Sequence, residues 1–530
     1  MKYALAYDIG TTGVKTCLFE IGDTIRLIAD AIEGYELYIL PDGGAEQDPD
    51  EWWAAMCKTT KELFSKTDIK PEQVDGISFC SQAQGLVLVD KNGRHVRRAF
   101  SYMDQRARKE QKELMDHGFL HQIAGASLPK LLVSLAKTGA VAASVKDPVF
   151  KYNWVKNNES DNYEKVYKWL DVKEALIARM TGKFVMTEDS AFGTLLFDIH
   201  KKCWSKEVCK ILNVDMDHLA KIIKSTDAVG GLTKQAAEEL GLAEGTVVYG
   251  GGMDASLIGV GAGAVNNNET HVYMGTSGWV STVVDKSIVD ASAMIAAVVG
   301  ARPGYYNYFA ELETAGKCLE WVKNHLALDE IGIYLKKTDV AEDIESEFTN
   351  LYQYLSSVIE KVPAGSNGVL FTPWLHGNRC PFEDPNSRGM FYNLSIETGK
   401  SEMIRAVVEG VCMHMRWMLE THEKKTKTSN VIRFVGGGAL NDSTSQILAD
   451  CTGRVVETVA SPQNVGAVGA AIVVAVGLGV IDSIAEANKL IDAEKRFNPN
   501  KANKAVYDKM FAAYKELYAA NKKIFKMLNG

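Results

Sequence analysis

The chain has 530 residues, 46% hydrophobic and 24% charged, with a net charge of -8. That length exceeds one hydrophobic core and predicts several folding units of ~100–200 residues each, while the acidic balance lacks the basic footprint of a nucleic-acid binder. Nine cysteines form no CxxC pair, a pattern that reads as buried thiols in a reducing cytoplasm rather than a disulfide or zinc framework.

In chain order, Asp8 arrives too early for a secretory leader. Tyr3 to Tyr7 reads as a strand, Ile9-Gly10-Thr11-Thr12-Gly13 as a turn, and Val14 to Phe19 as a second strand, which together predict a hairpin. Exposed N–H groups at such a tip can form an anion nest. A carboxylate beside that nest makes sense when a cation accompanies the anion, so Asp8 is a candidate Mg²⁺ residue. Thr11, Thr12 and Gly13 are the matching candidate phosphate contacts, with a plain β-turn as the alternative. The P-loop pattern G-x-x-x-x-G-K-[ST] is absent.

Asp48-Pro49-Asp50-Glu51 predicts a helix start, with acids suited to the dipole. Val74 to Cys80 reads as a strand whose polar exit carries Gln82 and Gln84. Tyr102, Asp104 and Arg106 follow near a further strand end. These groups suit hydroxyl groups on a ligand, and a structural ion pair is the alternative for Asp104 and Arg106. Lys130 to Val149 reads as a loop or short helix. Tyr163 to Met180 and Gly231 to Leu242 carry helical periodicity.

Val247 to Tyr249 predicts a strand that runs into Gly250, Gly251 and Gly252, then Asp254 and an apolar run to Val260. Bare backbone here admits another chain segment or a ligand. Asp254 is placed either for chemistry or as a helix cap. Thr270 to Met274, Gly275-Thr276-Ser277-Gly278 and Trp279 to Val284 repeat the strand–turn–strand unit of the N-terminus. A unit repeated half a chain later predicts two related domains facing one cleft. Glu402 to His422 predicts a long helix. Val431 to Val435 leads into Gly436-Gly437-Gly438, with Asn441 nearby, and this turn could seat an adenine ring. Val465 to Ile481 is apolar but shorter than the ~20 residues of a membrane span, and its glycines predict close helix packing. Val506 to Leu528 reads as an amphipathic helix.

These landmarks together resemble the FGGY carbohydrate kinases of the actin, Hsp70 and sugar-kinase superfamily. The likeness runs from Asp8 to about Phe497, and includes Pro148-x-x-Lys151-Tyr152-x-Trp154 and Gly389-Met390-Phe391-Tyr392-Asn393. The family usually has Gly at the position of Asn393. The resemblance implies two actin-like (ribonuclease H-like) α/β domains, with mixed sheets flanked by helices around a central cleft. Residues 1–258 would form the sugar and phosphate side, and residues 259–530 the nucleotide side.

It further implies ATP with Mg²⁺, Asp254 as catalytic base and Asp8 as metal residue. Gln82, Gln84, Tyr102, Asp104 and Arg106 align with sugar-side positions. Thr11, Thr12, Gly13, Gly275, Thr276 and Ser277 would hold the phosphates, and Gly437, Gly438 and Asn441 the adenosine. An Asp with an ordinary pKa of ~3.9 is ionised at neutral pH. The layout is similar to that of xylulokinases, which usually carry Met-His-Gly where this chain has Ala83-Gln84-Gly85 and Trp-Asn-Asp where it has Tyr102-Met103-Asp104. The implied acceptor is a ketopentose such as D-xylulose, with another ketose, a sugar acid (gluconate) or a polyol as alternatives. The implied protein is cytoplasmic, without membrane or nucleic-acid partners; its oligomeric state is left open, with a homodimer, common among relatives, as one option. A non-catalytic ATP-binding protein of the actin or Hsp70 type is the rival reading.

Overall fold

The computed structural model describes all residues except 117–121, 124–125, 291, 294 and 327–350. Lys2–Ile9 and Gly13–Ile21 pair antiparallel, and Ile25–Gly34 extends the hairpin. Gly76–Ser81 lies parallel to the first strand, Val247–Tyr249 parallel to Gly76–Ser81, and Ala228–Gly231 antiparallel on the far side. The second half repeats this order. Thr270–Met274, Gly278–Val284 and Tyr306–Leu312 form the antiparallel trio. Val431–Val435 and Val455–Val459 add in parallel, and Ala493–Phe497 closes antiparallel. The repeated hairpin in the sequence is therefore the visible part of a repeated six-strand sheet.

Each sheet is flanked by helices. Pro49–Ser65 begins at Asp48, whose side chain accepts the Asp50 N–H, and it lays Trp52 and Met56 into the core beside the first hairpin. The opposite face of this sheet is covered by Val465–Gly477, an apolar helix from the second half of the chain. A helix apolar all round is buried, and Val465 to Ala475 are buried without exception. Its glycines permit the contact, since a Cβ at Gly469 would lie 2.3 Å from the Leu257 carbonyl oxygen. One face of the first sheet is thus covered by residues outside 1–258. No helix among the described residues is long and apolar enough to cross a membrane.

Two local readings change, and a third, of Lys130 to Val149 as a loop or short helix, is resolved. Tyr163 to Met180 is not one helix: Lys168–Leu170 is a strand on Val87–Val89, and the helix is Val172–Thr181. Asp171 breaks the pattern, because its carboxylate accepts the N–H groups of Val172, Gln84 and Gly85. Gly231 ends a strand, and the helix after it is Lys234–Leu240, capped by the Thr233 side chain. The stretch after Lys130 belongs to a helix, Leu128–Thr138.

Candidate active site

Ile9, Ser81 and Met253 stand side by side at three parallel strand ends, with Asp8, Cys80 and Gly252 one residue earlier. Ligands of open α/β sheets bind at the carboxyl ends of such strands. With strands ~4.8 Å apart, the backbones of Asp8 and Gly252 stand about 10 Å apart across the end of the strand Gly76–Ser81. The three glycines make room for the chain itself. Gly251 has φ +68°, and a Cβ there would lie 2.3 Å from the Phe79 carbonyl oxygen. Asp254 is the first residue of the helix Asp254–Gly261, not its cap, and its carboxylate accepts the Ala255 N–H at 2.7 Å.

The site concentrates negative charge. Burial pushes the Asp254 carboxyl up to about 7; the Ala255 N–H opposes this, and the charges of Asp8, Glu311 and Asp189 add to it. The ordinary acidity expected from sequence is thereby corrected. Asp8 is also held above the usual carboxylate range by burial, against the opposing effects of Lys15 and the Cys80 thiol. Its Oδ2 faces the first turn of Val465–Gly477, where a Cβ on Gly466 would lie 2.7 Å from it. Tyr273, on the strand leading to Gly275, is raised by burial first and then by Asp8 and Asp254. The second hairpin therefore faces the first across the carboxylates.

Gln82 is buried, with its N–H on the Ile9 carbonyl oxygen at 2.8 Å and its Oε1 unpartnered among the described residues. Gln84 sits at φ +60°, fixed by Asp171. Tyr102 is exposed beside Thr11 and within the field of Glu311 and Asp254. Asp104 and Arg106 do something else. Asp104 is 0% exposed and accepts from Ala45 N–H at 2.8 Å and from Arg106 at 2.7 Å, while Arg106 also reaches Glu46 at 2.7 Å. Arg97 joins the same Glu46. The pair is a buried wall, so no substrate contact is carried forward for either residue.

On the facing side, Gly275, Thr276, Gly437 and Gly438 line one cavity of about 390 Å³. Gly316 and Lys317, the first two residues of the helix Gly316–His325, line it too. The Gly316 N–H donates to the Gly275 carbonyl oxygen at 2.7 Å and the Lys317 N–H to that of Thr276 at 3.2 Å. Ser277 lies in the same turn. Asn441 does not line this cavity. It is buried and caps the helix Asp442–Thr452 through the Thr444 N–H at 2.9 Å. Gly436, at φ +91°, and Gly438 press on Met274, which explains two of the three glycines by packing alone.

Residues 3–261 match the family model described as "FGGY family of carbohydrate kinases, N-terminal domain", and residues 271–478 match the corresponding C-terminal domain. The chain belongs to the FGGY family of carbohydrate kinases. It is 29% identical to the xylulose kinase of Bacillus subtilis (strain 168), covering 98% of each chain. Two solved structures from Lactobacillus acidophilus are similar at 26% identity. One is a ligand-bound xylulose kinase (TM-score 0.84, 100% of each chain) and the other a gluconate kinase (TM-score 0.83, 99% of each chain).

This FGGY kinase is a sugar-kinase phosphotransferase with the two-domain, actin-like fold of its relatives. At the family's usual glycine, Asn393 holds φ +65°, a region that Asn tolerates better than most residues. The sequence reading missed three groups at this kinase's site. Gly316 and Lys317 lie 40 residues past Thr276 with no motif to flag them. Asp189, wholly buried, accepts the Met253 N–H, and its only signal is an acid opening an otherwise apolar run.

Proposed function

We propose that this kinase transfers the γ-phosphate of Mg-ATP to a hydroxyl of D-xylulose or a closely similar neutral ketopentose. What carries the reading is the meeting of two half-buried carboxylates, Asp8 and Asp254, at strand ends facing a glycine-lined cavity on the opposite hairpin. That cavity falls in the size range of small-ligand sites, and Thr276, Lys317 and the positive dipole end of the helix Gly316–His325 suit a nucleotide's phosphates. Asp254 accepts the acceptor's proton as its oxygen bonds to the γ-phosphorus. The bond from that phosphorus to the bridging oxygen breaks, and ADP leaves with the electron pair. A base titrating near neutrality is matched to this task. Thr11, Thr12, Gly13 and Ser277 orient the phosphate chain, and in such a transfer positioning and electrostatics supply most of the rate.

Mg²⁺ fits Asp8, whose carboxylate offers hard oxygen donors in a crowd of like charge that a dication relieves. When bound, it neutralises charge on the phosphates. A neutral acceptor is favoured over gluconate because Asp254 and Glu311 repel a further carboxylate. Three cations of that region are also committed: Arg379 to Glu311 and Glu313, Arg106 to Asp104 and Glu46, and Lys151 to the Ser101 carbonyl oxygen. The likeness to xylulose kinases adds to this. A cytoplasmic location belongs to the same proposal, supported by nine free cysteines of which seven are buried.

The test is coupled ADP release with Mg-ATP over ketopentoses, other ketoses, polyols and gluconate. D-Xylulose should show the highest kcat/KM. A higher value for gluconate would overturn the neutral-acceptor reading, and silence across the panel would overturn the activity.

A further inference from the structure

Between the acceptor side and the phosphate hairpin lies a pair of buried amides. Gln47 ends the short strand Ala45–Gln47 and is 1% exposed. Its Nε2 donates to the Thr11 carbonyl oxygen at 2.6 Å, and its Oε1 accepts from Gln82 Nε2 at 3.1 Å. Gln82 in turn keeps a buried, unpartnered Oε1. A buried carbonyl oxygen without a donor is costly, so this atom is poised to accept from an incoming hydroxyl.

We propose that Gln47 is a positioning residue that couples acceptor occupancy to the geometry of the phosphate hairpin. The proposal rests on the kinase reading above and deepens it. The Thr11 C=O and the Thr12 N–H belong to one rigid peptide plane. Holding the carbonyl therefore aims the N–H that faces the phosphates. When an acceptor hydroxyl donates to Gln82 Oε1, that amide becomes a stronger donor to Gln47, and Gln47 to Thr11, because linked hydrogen bonds polarise one another. Tyr35 clamps the hairpin's flanks by donating to the Gly10 and Gly13 carbonyl oxygens. The Thr11–Thr12 peptide is thus the part of the tip that answers to the sugar side. Gln47 touches neither substrate in this arrangement, so its effect is on coupling rather than on the chemical step.

The experiment measures the Kd of AMP-PNP with Mg²⁺, with and without saturating D-xylulose, in native enzyme, Gln47→Leu and Gln47→Glu. Coupling between two ligands of one protein is reciprocal and commonly about 5–150-fold. Native enzyme should bind AMP-PNP several-fold more tightly with the sugar present. Gln47→Leu, which removes a hydrogen bond to Thr11 that is already made without sugar, should reduce that factor to near 1 and weaken sugar-free binding as well. Gln47→Glu, which keeps an acceptor for Gln82 but removes the donor to Thr11, should lose the coupling as well. It tests the relay even if the leucine variant fails to fold. Full coupling in a folded variant, or none in native enzyme, would overturn the relay. Absence of any phosphorylated acceptor in native enzyme would instead overturn the kinase reading on which it rests.

Discussion

The Asp189 carboxylate accepts the backbone N–H of Met253 at 2.7 Å, one residue before the proposed base, and the same Oδ2 accepts the Ser256 hydroxyl on the other side of it. Its second oxygen takes the Thr187 hydroxyl and the Ser190 N–H. A fully buried acid that touches no outside group thus brackets Asp254 with two of its four hydrogen bonds.

Asp189→Asn should therefore lower kcat while leaving the KM for ATP nearly unchanged. The amide cannot accept with both ends, so the Met253–Ser256 turn shifts, and misplacement of a reacting group by ~1 Å costs about 10²-fold. The acid limb of kcat/KM should also move to lower pH, because the Asp189 charge is one cause that raises Asp254. A pH–rate profile reads both effects, and an unmoved limb would remove the electrostatic part.

Asp254→Asn should lose about 10²–10⁴-fold in kcat, the usual worth of a general base, and still bind AMP-PNP. In the native enzyme the acid limb should lie near pH 7. The stability sign runs the other way from a paired carboxylate. The folded-state value, about 7, is above the unfolded value of ~3.9, so the contribution to stability is full below pH 4 and is lost as pH rises through 7. Unliganded Asp254→Asn should then melt above native enzyme at pH 8, with the gap closing by pH 4. A gap that widens toward acid would refute the burial of this charge.

Gly316→Ala tests the nucleotide side by steric means. A Cβ there would lie 2.3 Å from the Gly275 carbonyl oxygen, and overpacking of this kind costs about 1–3 kcal/mol. The turn that carries Thr276 must move. The KM for ATP should rise by about tenfold, equivalent to ~1.4 kcal/mol, with the KM for the sugar little changed. Equal effects on both would point to general distortion.

Residues whose roles depend on near neighbours were legible. The two Gly/Thr hairpins, Asp8 at a strand end and Asp254 after three glycines all appear where strand alternation and turn residues put them. Asp171 was not legible as a helix start, since the backbone groups that it satisfies at Gln84 and Gly85 lie 86–87 residues away. Asp104 and Arg106 read either as sugar contacts or as a structural ion pair, and the ion pair is favoured only once Glu46, from the strand Ala45–Gln47, joins Arg106 and is itself held by Arg97.

By itself, the sequence determined the repeated hairpin, the family and the carboxylates at the strand ends, because period-2 patterning and turn chemistry act over a few residues. Only the tertiary structure decided the acidity of Asp254, the withdrawal of Asn441 into a helix cap and the covering of the first sheet by Val465–Gly477. Burial, charge and packing sum over groups brought together from distant parts of the chain, and no short window of residues contains them.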